Sequence, residues 1–248
     1  MRQINVHMLQ TESITINTAA GPLAGLVHLP DRLPAPAIVC CHGMLSSKDS
    51  PKFALIAQEL ARVGAVALRF DFSGCGESLA ELGLDLLSSR LRDLDAVLEY
   101  VKLQAWHNGI TGLLGSSLGG YLSLLAMSSL HHSIEAAVCW ATPFDCAKIE
   151  TGMEVSEELK RFFPPGFRLG SPQNLGGLPP VKGALIIHGE QDELVPWGDA
   201  VRIYEQVGEP KRMLLVSRAE HRFLEPSCRT LALKASIDWF RELGLVEL

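Results

Sequence analysis

Gly109-Ile110-Thr111-Gly112-Leu113-Leu114-Gly115-Ser116-Ser117-Leu118-Gly119-Gly120-Tyr121-Leu122-Ser123-Leu124-Leu125-Ala126-Met127 decides the fold. The stretch reads as a short apolar strand, a sharp turn and a helix apolar nearly all round. No Asp, Glu, Lys or Arg occurs between residues 103 and 134. A helix of that pattern belongs in a core. The turn, Gly115-Ser116-Ser117-Leu118-Gly119, matches G-x-S-x-G, which presents a serine hydroxyl at the top of a sheet. Its glycines have a steric reason, because a Cβ at either flanking position would meet the neighbouring strand or helix. The serine also stands at a helix N-terminus, where backbone N–H groups favour developing negative charge. The pattern alone equally describes a glycine-rich turn entering a core helix, so its partners elsewhere in the chain have to discriminate.

Working outward from the turn, apolar runs alternate with helical periodicity. Residues 13–18 alternate as a half-exposed strand, Gly21-Pro22 is a turn, and 23–29 is a second strand, so the chain opens with an antiparallel hairpin. Residues 37–41, 65–70, 110–114, 136–140, 183–187 and 212–216 are short apolar runs of the kind buried on both faces of a parallel sheet. Between them lie helices with Phe53, Ile56 and Leu60, with Leu87, Leu91, Leu94 and Leu98, and with Ala200 and Tyr204 on one side. Ser50-Pro51 supplies an N-cap and a first-turn proline, and a last helix carries Leu231, Ala235 and Trp239. This alternation predicts an α/β fold, a mostly parallel central sheet with helices on both faces.

The rhythm breaks over 142–181. Six prolines fall there, one short helical candidate covers 155–163, and Phe144, Phe162, Phe163 and Phe167 are the aromatic residues. The reading is one domain over 1–248 with a small cap insertion at 142–181, because a structureless loop of that length is uncommon unless functional.

Bulk properties narrow the partners. A chain of 248 residues with 47% hydrophobic and 20% charged residues can bury a substantial core. The net charge of −6, with no basic stripe, argues against nucleic acid and anionic membranes. The N-terminal residues carry no continuous apolar run, so no signal peptide is expected, and no membrane insertion. Six cysteines at 40, 41, 75, 139, 146 and 228 include no C-x-x-C pair and suit reduced thiols in a cytoplasm. No metal-ligand spacing appears, and no cofactor or metal is expected.

Each candidate catalytic group falls after a predicted strand: Ser117, Asp192 and His221. In open α/β sheets, sites form at the carboxyl ends of strands, and Ser, Asp, His is one known chain order for a nucleophile–acid–base triad. A histidine in reach can take the serine proton, and a carboxylate on the other ring nitrogen holds the tautomer. Oxyanion donors would be the backbone N–H of Leu118 and of Met44, with Gly43 allowing close approach. Asp145, after the strand ending at 140, is the rival acid. His42, His188 and Asp71 read as loop-holding groups.

Five segments occur in an order that resembles the α/β-hydrolase fold, and in particular small serine esterases related to the serine aminopeptidase S33 group. They are His42-Gly43, Arg69-Phe70-Asp71-Phe72-Ser73-Gly74-Cys75-Gly76-Glu77-Ser78, the Ser117 turn, His188-Gly189-Glu190-Gln191-Asp192-Glu193-Leu194-Val195-Pro196, and Glu220-His221-Arg222-Phe223. The resemblance implies Ser117 as nucleophile, Asp192 as acid and His221 as base. Cys75 departs from it, standing where the family often has histidine. The expected activity is hydrolysis of a small-molecule carboxylic ester through an acyl-enzyme. Phe144, Phe162, Phe163 and Phe167 would contact an apolar or aromatic acyl group, the cinnamoyl or feruloyl kind being one case by resemblance. Aminopeptidase, thioesterase and C–C bond hydrolase remain open within the fold. Glu150, Glu154, Glu157 and Glu158 are the candidates for the amine site an aminopeptidase needs, although they read more simply as a solvated helix face. A non-catalytic binding protein that kept the fold is the remaining alternative.

Overall fold

A computed structural model describes residues 10–129, 131–147, 163, 166–179 and 181–247. Eight strands form one sheet: β1 (Gln10–Thr18), β2 (Gly21–Leu29), β3 (Ala35–Cys41), β4 (Val66–Phe70), β5 (His107–Ser116), β6 (Ala136–Trp140), β7 (Lys182–Gly189) and β8 (Gly208–Val216). Their spatial order is β1-β2-β4-β3-β5-β6-β7-β8. β1–β2 and β2–β4 pair antiparallel, and all later neighbours pair parallel. The continuous apolar runs take the middle, where β4 and β6 are buried at every residue. The alternating β1 takes an edge, with Ile16 turned inward and its polar residues outward.

Helices cover both faces. α2 (Leu86–Lys102), α3 (Leu118–Ser128) and α4 (Gly198–Gln206) pack on one, and α1 (Pro51–Arg62) and α5 (Pro226–Glu242) on the other. Two expectations need correction. Ser50 precedes α1, but its hydroxyl makes no capping bond. On α5 the buried face is Cys228, Ala232, Ser236 and Trp239, whereas Leu231 is exposed. Leu233 and Phe240 are buried with them, so the inward face lies one position round from the Leu231 spacing, with Trp239 common to both. No helix among the described residues is long and apolar enough to cross a membrane.

After β3 the chain places β4 on one side of it and β5 on the other. That reversal opens a crevice at the carboxyl ends of β3 and β5, where α/β sheets bind ligands. Steric closeness at the β5–α3 turn fixes it further. A Cβ on Gly119 would lie 2.0 Å from the Cys41 carbonyl oxygen, and one on Gly115 would lie 2.3 Å from that of Gly119. Both obstacles are backbone. We expect Gly119→Ala to destabilise the protein by about 3 kcal/mol or more. Gly198→Ala, at an open helix start, should be near neutral. Urea midpoints measure both, and an unshifted midpoint for Gly119→Ala refutes the packing argument.

Two buried histidines tie the strand ends together. Arg69 Nε donates to His28 Nε2 at 3.0 Å, and the Phe72 N–H donates to His42 Nε2 at 3.2 Å. Each Nε2 must then be an acceptor, so both rings are neutral. Burial, reinforced by Arg69, lowers the His28 pKa to about 4, and burial reinforced by Arg90 lowers that of His42 to about 3. With the folded values depressed, the unfolded chain binds more protons below pH 6.5. Stability should therefore be complete above that pH and fall as the pH drops toward 4 and then 3. At pH 5 each ring contributes a loss of about 2 kcal/mol. Urea unfolding at pH 7.5 and 5 tests this, and equal stabilities would contradict it.

Candidate active site

The turn after β5 holds Ser117 at φ 55°, ψ −124°, a conformation that non-glycine residues rarely adopt. The strain is secured on both sides. The Ser117 N–H donates to the Trp140 carbonyl at 2.8 Å, and the Gly120 and Tyr121 N–H groups donate to the Ser117 carbonyl. Leu118 begins α3, so its N–H belongs to the first turn, which has no intrahelical acceptor.

His221 lies in the loop after β8, and Asp192 in the loop after β7. His221 Nδ1 is 2.8 Å from Asp192 Oδ2 and 3.0 Å from Oδ1. Asp192 Oδ1 also accepts the N–H groups of Leu194 and Val195, and His188 Nε2 lies 3.3 Å from Oδ2. Burial by itself would raise this carboxyl's pKa. The hydrogen bonds from His188, His221 and Val195 outweigh it and hold the group well below the usual carboxylate range. Asp192 is thus an anion that orients His221. His188 also lies 3.0 Å from the Val195 carbonyl, so it braces the acid's loop.

A cavity of about 650 Å³ opens at the strand ends, and Ser117 and His221 both line it. Gly43 and Met44 line it as well, and a Cβ on Gly43 would lie 3.4 Å from Ser117 Cβ. The loop after β3 therefore runs alongside the serine. His42 holds its base through a 2.7 Å contact between Nδ1 and the Gly43 carbonyl. Asp71 holds its far side by accepting the N–H groups of Lys48 and Glu77. The Met44 carbonyl accepts from the buried Arg90 guanidinium at 3.3 Å.

Other expected site residues lie elsewhere. Asp145 accepts the Ala147 N–H and bridges to Asn174, with no contact to His221. Phe144 is 6% exposed and packs in the core under the Arg202 guanidinium, 3.9 Å from the ring centroid. Phe163 and Phe167 stack on each other at 4.3 Å. None of these three lines the cavity around Ser117. The physical reason for Phe144 is that residue's place just past β6, where the chain dives into the α3–α4 side of the core. Phe162, the four cap glutamates and most of the helical candidate at 155–163 lie outside the described residues. Residues 166–179 return over α2 and α3. Leu169 and Leu175 are buried, and the Tyr121 hydroxyl donates to the Pro172 carbonyl at 2.6 Å.

Two residues escaped the sequence reading. Lys52, in the first turn of α1, lines the cavity and donates from Nζ to Ser116 Oγ at 2.7 Å. A lysine at the positive end of a helix goes against the dipole preference, which is the signal that could have flagged it. Arg90 sits beneath the Met44 loop, and its charge at a core-facing helix position was legible from spacing with Leu86, Leu94 and Val97. Its guanidinium also lies 3.1 Å from Cys75 Sγ, so Cys75 is a half-buried neighbour of that loop.

Comparison with known proteins gives the family and the fold. Residues 33–178 match the family model described as serine aminopeptidase, S33. The mitochondrial palmitoyl-protein thioesterase ABHD10 of Mus musculus is 24% identical over 218 residues, covering 77% of this chain and 70% of that protein. A Pyrococcus furiosus esterase superposes with a TM-score of 0.77 at 20% identity, covering 94% of this chain and 91% of the other. Est1E of Butyrivibrio proteoclasticus, solved with ferulic acid bound, gives 0.74 at 18% identity, covering 93% and 98%. The sheet order, the strained turn after β5 and the family match lead to one conclusion: this chain is an α/β hydrolase and belongs to the serine aminopeptidase S33 family.

Proposed function

We propose that the protein is a serine hydrolase that cleaves carboxylic esters through an acyl-enzyme, with Ser117 as nucleophile, His221 as base and Asp192 as acid. The observation that carries this reading is the paired Asp192–His221 contact, with His221 on the same cavity as the strained Ser117. Ser117 Oγ attacks the acyl carbonyl carbon while His221 Nε2 takes its proton. Asp192 keeps the Nδ1–H tautomer and stabilises the imidazolium. The N–H groups of Met44 and Leu118 receive the oxyanion. Collapse expels the alcohol, which regains a proton from His221, and water then releases the acid by the same steps.

An apolar or aromatic acyl group suits the cavity, where Met44, Leu45, Phe53, Leu194 and Leu224 supply apolar surface. This part of the lining comes from the strand-end loops and α1 rather than from the cap aromatics. The six cysteines are unpaired thiols, which suits a reducing compartment such as the cytoplasm. A second reading, thioester hydrolysis, is favoured by the description of the mouse relative and uses the same residues with a thiol leaving group.

A fluorophosphonate probe tests the reading. Labelling of wild-type protein, mapped to the Ser117 peptide and absent from Ser117→Ala, is expected. Labelling at another serine, or none on folded protein, refutes it. Paired p-nitrophenyl esters and N-acetylcysteamine thioesters of the same acids then separate ester from thioester preference.

A further inference from the structure

Three cations converge on the cavity, and ester hydrolysis alone does not require them. Lys52 reaches it from the first turn of α1, Arg222 from the loop after β8, and Arg229 from the first turn of α5. Among the described residues, none of the three is in a salt bridge with a carboxylate. The nearby acids, in contrast, are all engaged. Asp49 is held by Lys48 and Arg69, Asp192 by His221, and Glu220 by the N–H groups of Arg222 and Leu224. Lys52 spends one donor on Ser116 and has two more to offer the cavity.

The backbone adds to the field. Ser50 to Phe53 line the cavity at the start of α1, where no acidic side chain and no capping hydroxyl offset the helix dipole. The open end of this 12-residue helix thus presents positive charge to the same space. Folding explains part of the arrangement, since Lys52 Nζ also lies 5.7 Å over the Phe53 and Trp140 rings, but it leaves the charges unneutralised. A cation in the first turn opposes the dipole, and burial lowers the Lys52 pKa to about 8, with Glu220 and Asp192 opposing that shift and Arg222 and Arg229 adding to it. The cations hinder one another and the helix, and an anion among them would relieve both effects.

We infer that the cavity selects substrates bearing an oxyanion, a carboxylate or phosphate bound by Lys52, Arg222 and Arg229 while the scissile carbonyl meets Ser117. This rests on the serine-hydrolase reading. Two substrate arms distinguish the sources of the charge. One compares kcat/KM for p-nitrophenyl hemiglutarate with that for neutral p-nitrophenyl valerate. The other compares butyryl-coenzyme A with butyryl-N-acetylcysteamine. Wild-type protein should favour the charged member of at least one pair, and the preference should shrink with added salt. Lys52→Met, which keeps the side chain's length, should lower the charged-to-neutral ratio about tenfold or more, as for loss of a charge-assisted hydrogen bond. Arg222→Gln, at an exposed loop position, should lower it about threefold. A ratio sensitive to these variants in the glutarate arm assigns a carboxylate, and in the coenzyme A arm a phosphate. Ratios unchanged in both arms overturn the inference.

Should no ester or thioester be turned over, the hydrolase reading fails separately. Calorimetric titration of glutarate and of inorganic phosphate into Ser117→Ala protein then tests the anion site itself. Binding that is weakened by Lys52→Met or Arg222→Gln supports it, and no binding of either anion overturns it.

Discussion

Ser117→Ala is expected to lower kcat on a p-nitrophenyl ester by roughly 10⁶-fold, with little change in stability. The size of the effect follows from the role proposed for the hydroxyl. Without Oγ no acyl-enzyme forms, and only general binding and oxyanion stabilisation remain to speed attack by water. Stability should hold because the hydrogen bonds that secure the turn are made by the Ser117 backbone, to Trp140, Gly120 and Tyr121, and not by its side chain. The positive φ remains as strained for alanine as for serine, so the substitution adds no new strain at that torsion. Steady-state kinetics and a urea titration check the two halves. Activity within tenfold of wild type would falsify the assignment of the nucleophile. Lost activity with a collapsed urea midpoint would instead make the effect structural.

Asp192→Asn is expected to reduce kcat by roughly 10⁴-fold, while Asp145→Asn stays within about twofold of wild type. Both carboxylates follow strands, but their environments differ. Asp192 is fully buried at its side chain and meets His221 Nδ1 with both oxygens. An amide there can present its NH₂ to the ring and stabilise the tautomer with the proton on Nε2, which cannot accept from serine. Asp145 closes a local turn onto Ala147 and bridges to Asn174, away from His221. The comparison has a built-in control, since both changes remove one negative charge. A deep loss for Asp145→Asn with mild loss for Asp192→Asn would exchange their roles.

Much of this was legible from residue patterns. The apolar runs at 65–70 and 136–140 emerge as β4 and β6, and the opening hairpin pairs as expected. The serine turn was legible because glycine is needed on both sides of it, at Gly115 against the Gly119 backbone and at Gly119 against the neighbouring strand's Cys41 carbonyl. Less legible was anything set by which face a helix turns inward. Leu231 looked like a core residue by spacing, yet α5 buries Ala232, Leu233, Ser236, Trp239 and Phe240 and leaves Leu231 exposed. The phenylalanines after β6 looked like a substrate surface, yet Phe144 is core and Phe163 stacks on Phe167.

By itself the sequence determined the order of strands and helices, the turn at Ser117 and the strand-end positions of Asp192 and His221. These depend on local periodicity and, at Gly115, on sterics within a few residues, although the demand for glycine at 119 comes from the Cys41 carbonyl across the sheet. Tertiary structure alone decided what surrounds the serine. Lys52, Arg222 and Arg229 are separated by up to most of the chain, and only the sheet order that sets α1 beside α5 brings them to one cavity. Charge acts through space, so its meaning at a site appears only once distant segments have folded together.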